Sequence, residues 1–208
     1  GLCECLFTVW INVVKLGQLK ENERFLVHGG SSGIGMFAIQ VAKQLGATVL
    51  TTVKNQEKSD FCYSLGADEV VQYSKQDFYN IFKSNNEGRG IDLILDMIGG
   101  DYFEKNIDLL NEEGRMVNIA FLKGNSVKLD LSKLMMKRIN LTGSTLRPRT
   151  TEFKSKIADE LRETVWPLLD THKIRVHIDS VFPLEKFKDA HMRMENGNHL
   201  GKIILSLD

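Results

Sequence analysis

Short apolar runs alternate along this chain with longer stretches in which apolar residues recur every three or four positions. In Arg24–His28 three apolar residues stand in succession, the mark of a strand buried on both faces. A Gly/Ser cluster follows at once. Ile34, Ala38, Val41, Ala42 and Leu45 then share one helical face, and Gly46 supplies a stop. The same alternation predicts strands at Thr48–Val53, Glu69–Gln72 and Ile91–Asp96, then at 115–120 and 139–145, with a helix over 56–65 and further helical stretches between. Six strands joined by helices call for a parallel sheet covered on both faces, the doubly wound α/β arrangement. Beyond Leu146 the pattern changes to a long helix over 151–170, a strand over 178–182, a short helix from Leu184 and a closing strand over 202–207. Two units are therefore expected: 1–146, with an opening helix over 4–16 ahead of the sheet, and 147–208, an α+β segment outside it.

Composition narrows the function classes. Of 208 residues 42% are hydrophobic, enough to fill a core, and 27 basic side chains balance 27 acidic ones. That balance argues against nucleic acid or an anionic membrane as partner. No apolar run approaches the roughly 18 residues of a membrane span. The apolar stretch 2–14 lacks the basic flank and cleavage site of a signal peptide. Cys3, Cys5 and Cys62, an odd number without close pairing, fit a reducing, cytoplasmic setting rather than a disulfide framework. No cysteine spacing suits structural zinc, and Cys3-Glu4-Cys5 alone cannot supply a tetrahedral site, so no metal is expected. The chain begins at Gly1 in what reads as mid-sequence, so a fragment or processed product is expected.

The chemistry-bearing feature is Gly29-Gly30-Ser31-Ser32-Gly33-Ile34-Gly35, set between a strand and a helix. Small residues there let backbone approach a diphosphate, whose charge meets the free N–H groups of the helix N-terminus. Ser32, Gly33, Ile34 and Gly35 are the candidate contacts; the alternative is a turn that merely packs helix on strand. Enzymes that use NAD place an acid at the end of the second strand. Here Lys54-Asn55 stands there, with no carboxylate before Glu57, and Lys58 follows four residues on. Lys54 and Lys58 are candidates for a ribose 2′-phosphate, the alternative being two solvated lysines beside a capping Asn55. No Ser/His/Asp grouping stands out, the five histidines are scattered, and His28 reads as a buried, hydrogen-bonded residue. No catalytic residue is assigned.

Two dehydrogenase superfamilies carry such a turn. The short-chain type also needs a Tyr-x-x-x-Lys pair, and Tyr79 to Lys83 fits that formula but lies too early, before the fourth strand. Phe7-Thr8-Val9-Trp10, Gln40-Val41-Ala42-Lys43-Gln44-Leu45-Gly46-Ala47, Leu65-Gly66-Ala67-Asp68, Leu95-Asp96-Met97-Ile98-Gly99-Gly100 and Gly201-Lys202-Ile203-Ile204-Leu205 instead resemble the medium-chain dehydrogenase/reductase superfamily. Within it the chain is similar to the zinc-independent NADPH:quinone oxidoreductase branch, zeta-crystallin-like and p53-inducible types included, without the N-terminal catalytic (GroES-like) lobe. Ser32 replaces the middle glycine of the strict G-x-G-x-x-G pattern.

The resemblance implies a six-stranded Rossmann sheet binding NADPH, with 147–208 returning to the incomplete lobe. It implies Lys58 on the 2′-phosphate, Tyr73 near the adenosine, and Met97 on the ribose side. Asn118, Ile119, Ala120 and Phe121 would flank ribose and nicotinamide, and Ser144, Thr145 and Leu146 would hold the carboxamide. Asn198 would reach the cofactor from the other lobe, and Thr8 and Trp10 would floor the substrate pocket, the alternative being that Trp10 only anchors the opening helix to the sheet. The implied activity is hydride transfer to a quinone or enone, by a homodimer paired through the sixth strand. An enoyl-reductase module of a fatty-acid or polyketide synthase and a non-catalytic NADPH-binding protein are the alternatives.

Overall fold

The computed structural model describes residues 2–85 and 88–207. Its strands β1 (Arg24–His28), β2 (Thr48–Val53), β3 (Glu69–Gln72), β4 (Ile91–Asp96), β5 (Leu110–Asn118) and β6 (Asn140–Gly143) form one sheet in the order β3-β2-β1-β4-β5-β6. Every pairing in it is parallel. The order reverses between β1 and β4, where a doubly wound sheet opens a crevice at its carboxyl end. Helices α1 (Leu2–Val9), α2 (Gly33–Gln44), α3 (Gln56–Ser64), α4 (Phe78–Ser84), α5 (Tyr102–Leu109), α6 (Leu131–Lys137), α7 (Thr151–Thr164), α8 (Trp166–Asp170) and α9 (Phe187–Glu195) surround it.

The continuous apolar strands follow from a core on each face. Phe25, Val27, Val49, Val53, Leu93, Leu95 and Val117 join Leu6, Met36, Phe37, Ile39, Ile157 and Leu161 in one core. Their strand neighbours Leu26, Leu50, Ile94 and Met116 turn the other way, onto Phe78, Phe82, Phe103 and Ile107. Side chains alternate across a strand, so two buried faces demand that both sets be apolar.

Three boundaries differ from the sequence reading. Strand β5 starts directly after α5 and slips register opposite β4, with Glu113 at φ 60°, so Ile119 and Ala120 fall beyond its end. Strand β6 stops at Gly143, which frees Ser144 and Thr145 as loop. The long helix expected over 151–170 is two helices, because Pro167 cannot donate the helical hydrogen bond and its ring crowds the preceding turn. The opening helix likewise changes character, running on from α1 as π-helix over Trp10–Leu16. Strands β7 (Ile178–Pro183) and β8 (Lys202–Ser206) pair in parallel with each other, apart from the main sheet, and Ile178, Val181 and Leu207 on this segment are exposed. No helix among the described residues is long and apolar enough to cross a membrane.

Candidate functional site

The turn after β1 is built for close approach. Gly29 takes a left-handed backbone (φ 71°), and Ser32 caps α2, its Oγ accepting from the Gly35 N–H at 3.0 Å. Ser32 bridges in parallel to Gly201, which turns the Gly33 N–H toward the Gly201 carbonyl, while the Ile34 amide has no partner among the described residues and stays a donor at the positive end of a twelve-residue helix. A Cβ on Gly35 would lie 2.4 Å from the Gly29 carbonyl oxygen, so helix and strand meet there only without a side chain. At Gly33 the obstacle is the movable Lys202 chain, with Nζ 3.4 Å and Cδ 2.5 Å from the position a Cβ would take. The return segment therefore lays a cation over the turn, fixed by the Gly201 N–H donating to the Ser31 carbonyl at 2.9 Å. Lys202 also reaches the Cys5 thiol at 3.6 Å; burial pushes that thiol up, partly offset by the ammonium.

More positive charge gathers beside the turn. Asn55 caps α3, accepting from the Lys58 N–H at 3.1 Å, while Lys54 at the end of β2 is exposed. Lys58 is only 8% exposed and has no ion pair among the described residues. Burial, then Lys54, lower its ammonium pKa, and Arg193 adds to the effect. Arg193 grips Asp179 at 2.8 and 3.0 Å, and Asp179 also accepts from the Leu200 N–H at 3.0 Å and the Ser180 hydroxyl. These bonds, the Arg193 guanidinium first, hold the Asp179 carboxyl far below the usual aspartate range.

A folded-state pKa below the unfolded value gives stability that is complete above the unfolded pKa. It is lost as pH falls toward the folded value. Asp179→Asn is therefore expected to cost about 1–2 kcal/mol at neutral pH and almost nothing in strong acid. Urea unfolding across pH checks it, and an equal loss in acid would contradict the pairing.

On the far side of the switch point, the fully buried Asp96 accepts from the Ile98 and Gly99 amides and from Asn118 Nδ2 at 3.0 Å. This fixes the loop that carries Met97. A cleft of about 1020 Å³ opens between that loop, α1 and the β6 exit, lined by Cys3, Glu4, Thr8, Ile34, Met97, Ile119, Ala120, Ser144, Thr145, Leu146, Arg147 and Lys154 among others. Ser144 donates to Asn12 Oδ1 at 2.7 Å, and Asn12 Nδ2 donates to the Thr8 carbonyl, so the π-helical segment aligns both cleft walls.

The expected residues thus separate into groups. Ser32, Gly33, Ile34 and Gly35 form the turn, while Lys54, Asn55 and Lys58 lie at its flank. Tyr73, just past β3, is 46% exposed. Thr8, Met97, Ile119, Ala120, Ser144, Thr145 and Leu146 share the cleft. Trp10 is not among the residues lining it; its indole N–H donates to Glu160 of α7 at 2.6 Å, which suits the anchor alternative. Phe121 is exposed, its ring against Gly99, and Asn198 is exposed. His28 is sealed between Thr52 Oγ1 and Asn106 Oδ1, at 3.0 and 2.9 Å, away from the cleft. The sequence reading missed Lys202, although a signal existed, since Gly201-Lys202 was read for its family likeness and not for its charge.

A sheet wound in this order, with cations around the turn at its reversal, defines a dinucleotide-fold α/β protein. The family model described as zinc-binding dehydrogenase matches residues 65–205, and the chain belongs to that family. It is 28% identical over 205 residues to quinone oxidoreductase of Homo sapiens, covering 97% of this chain and 60% of that protein. It is also 28% identical over 207 residues to polyketide synthase 37 of Dictyostelium discoideum, covering 96% of this chain and 7% of that protein. The crystal structure of Escherichia coli quinone oxidoreductase complexed with NADPH superposes with a TM-score of 0.84 at 26% identity, covering 97% of this chain and 62% of that one. The likenesses fall in the quinone oxidoreductase branch of the medium-chain superfamily. The chain spans about 60% of the two quinone oxidoreductases and a far smaller share of the synthase.

The family's name implies zinc. Among the described residues no three His, Cys, Asp or Glu side chains are placed to hold a metal, and Cys3 and Glu4 in the cleft do not complete a tetrahedral set.

Proposed function

We propose that this chain is the nucleotide-binding part of an NADPH-dependent reductase that passes hydride to a quinone or an α,β-unsaturated carbonyl. The observation that carries the reading is Lys58, in the first turn of α3 just after β2, a side chain 8% exposed overall whose ammonium has no ion pair among the described residues, in the region where an NADH enzyme would hold a carboxylate. Its stem is packed away while its ammonium faces no carboxylate, and a 2′-phosphate supplies the missing counter-charge. The diphosphate fits the turn backbone and the open Ile34 amide with Lys202 above them, and the nicotinamide end fits the cleft.

When bound, the nucleotide supplies the hydride. The chain's residues orient it and keep the site dry. Ser144, braced by Asn12, positions the β6 exit loop, and Met97, Ile119, Ala120 and Leu146 give the cleft apolar walls that exclude water. Residues 1–146 make up the cofactor unit. Residues 147–208 return toward a substrate lobe, a role the exposed Ile178 and Val181 suit as a surface to be covered. Pairing of two copies along the free edge of β6, in the cytoplasm, completes the reading.

The match to a polyketide synthase over 96% of the chain favours a second reading, an enoyl-reductase module acting on a carrier-bound thioester. Loss of NADPH absorbance with 1,2-naphthoquinone supports the first reading, and loss with a crotonyl thioester supports the second. Tight NADPH binding with neither reaction supports a non-catalytic binding protein. Equal affinity for NADPH and NADH would refute the cofactor preference.

A further inference from the structure

Two cations line the cleft at the end where the chain leaves β6. The loop after that strand leads to Arg147, and Arg147 and Lys154 both face the cavity of about 1020 Å³. That volume stands at the top of the range of about 300–1,000 Å³ for small-molecule sites, which leaves room for a nicotinamide end and a further ligand. Lys154 Nζ donates to the Arg147 carbonyl at 3.1 Å, which ties the start of α7 to the loop and holds the ammonium near the root of the exposed Arg147 side chain. Arg149, 5.0 Å above the Phe153 ring, adds a third positive charge to the same loop. None of the three cations is in an ion pair among the described residues. Glu4 is the one carboxylate among the described residues lining the cleft, and it pairs with neither lining cation. The nucleotide's phosphates, seated as above, lie elsewhere. The diphosphate seat follows β1 and Lys58 follows β2, whereas β6 is the third strand from β1 on its other side, about 14 Å away at the usual strand spacing.

We infer that the substrate of this cleft carries an anionic group, a carboxylate or a phosphate, on a tail separate from the bond that accepts the hydride, and that Arg147 and Lys154 bind it. The inference rests on the reductase reading above and narrows its substrate class. A guanidinium and an ammonium at one end of an otherwise apolar cleft give an amphiphilic ligand a single orientation. Its ring or acyl chain lies against Phe7, Ile11 and Leu146, and its anion meets the two cations at the β6 exit. A neutral ligand of the same shape leaves both cations unanswered.

The test measures binding rather than turnover, with pairs that differ only in the charge of the tail. The protein loaded with NADP+, which has no hydride to give, is titrated by calorimetry with 2-methyl-3-(2-carboxyethyl)-1,4-naphthoquinone and its methyl ester. It is titrated likewise with crotonyl-4′-phosphopantetheine and crotonylpantetheine. In at least one pair the anionic member is expected to bind at least about fivefold more tightly, an advantage that shrinks as salt is raised. Preference within the first pair identifies an acidic quinone, and within the second a carrier-borne thioester. In Arg147→Gln combined with Lys154→Gln, the ratio of neutral to anionic Kd is expected to fall to about one. The salt dependence needs no variant. Equal binding within both pairs by wild type, or a ratio that the double variant leaves unmoved, overturns the anion site while leaving the reductase reading intact. Protein that takes up NADP+ yet binds no member of either pair overturns both.

Discussion

Gly35→Val is expected to abolish dinucleotide binding and to destabilise the chain by about 3 kcal/mol. A Cβ at this position would stand 2.4 Å from the Gly29 carbonyl oxygen and 2.6 Å from Gly30 Cα. Both obstacles are backbone, held where β1 ends, so neither can rotate aside. Relief requires α2 to lift off the sheet, opening the packing of Met36, Phe37 and Ile39 and moving the Ile34 amide away from any diphosphate. Gly33→Ala is the control. Its new methyl meets the flexible Lys202 chain, so the fold survives while the diphosphate seat is crowded. Urea denaturation with parallel titration of NADPH fluorescence separates the two. Wild-type unfolding and binding in Gly35→Val would mean that the turn has no part in the site.

Lys58→Glu is expected to weaken NADPH by more than about tenfold while leaving NADH within about threefold, since a charge-assisted contact is worth about 1.5–3 kcal/mol and reversal adds repulsion. Lys58→Met separates binding from stability. The ammonium pKa is lowered in the folded protein, so the unfolded chain binds that proton more tightly and the charge opposes folding at neutral pH. That penalty fades as pH climbs from the folded value toward the unfolded one. Removing the charge is therefore expected to stabilise the nucleotide-free protein by about 1 kcal/mol while reducing NADPH affinity. Stability and affinity falling together in Lys58→Met would show that the ammonium has a native partner and is not held open for a ligand.

The sheet was legible because both its faces are covered: Phe25-Leu26-Val27 and Leu93-Ile94-Leu95 are apolar without a break, and a run that short between turn signals is hard to read otherwise. The turn at Ser32 and Gly33 was legible because steric demands there admit few residue types. Where local pattern decides nothing, the reading fell short. Strand β5 begins through Asn111, Glu112 and Glu113, polar residues that carry no strand signature and lie in the register shift between the Leu110 and Arg115 pairings with β4. Pro167 was a usable signal for the break between α7 and α8. Trp10 could not be placed, since an indole serves a pocket or an anchor equally well, and its partner Glu160 lies 150 positions away. Lys202 was hard to place for a similar reason: the return crossing of β7, α9 and β8 brings it to a turn some 170 residues earlier, and spacing does not encode that meeting.

A crystal structure of the chain with NADP+ tests the central claim most directly. The account predicts the diphosphate on the glycine turn at the Ile34 amide beneath Lys202, with the 2′-phosphate in hydrogen-bond reach of Lys58 Nζ. A nucleotide lying elsewhere, or one on the turn with its 2′-phosphate turned to solvent, would contradict it.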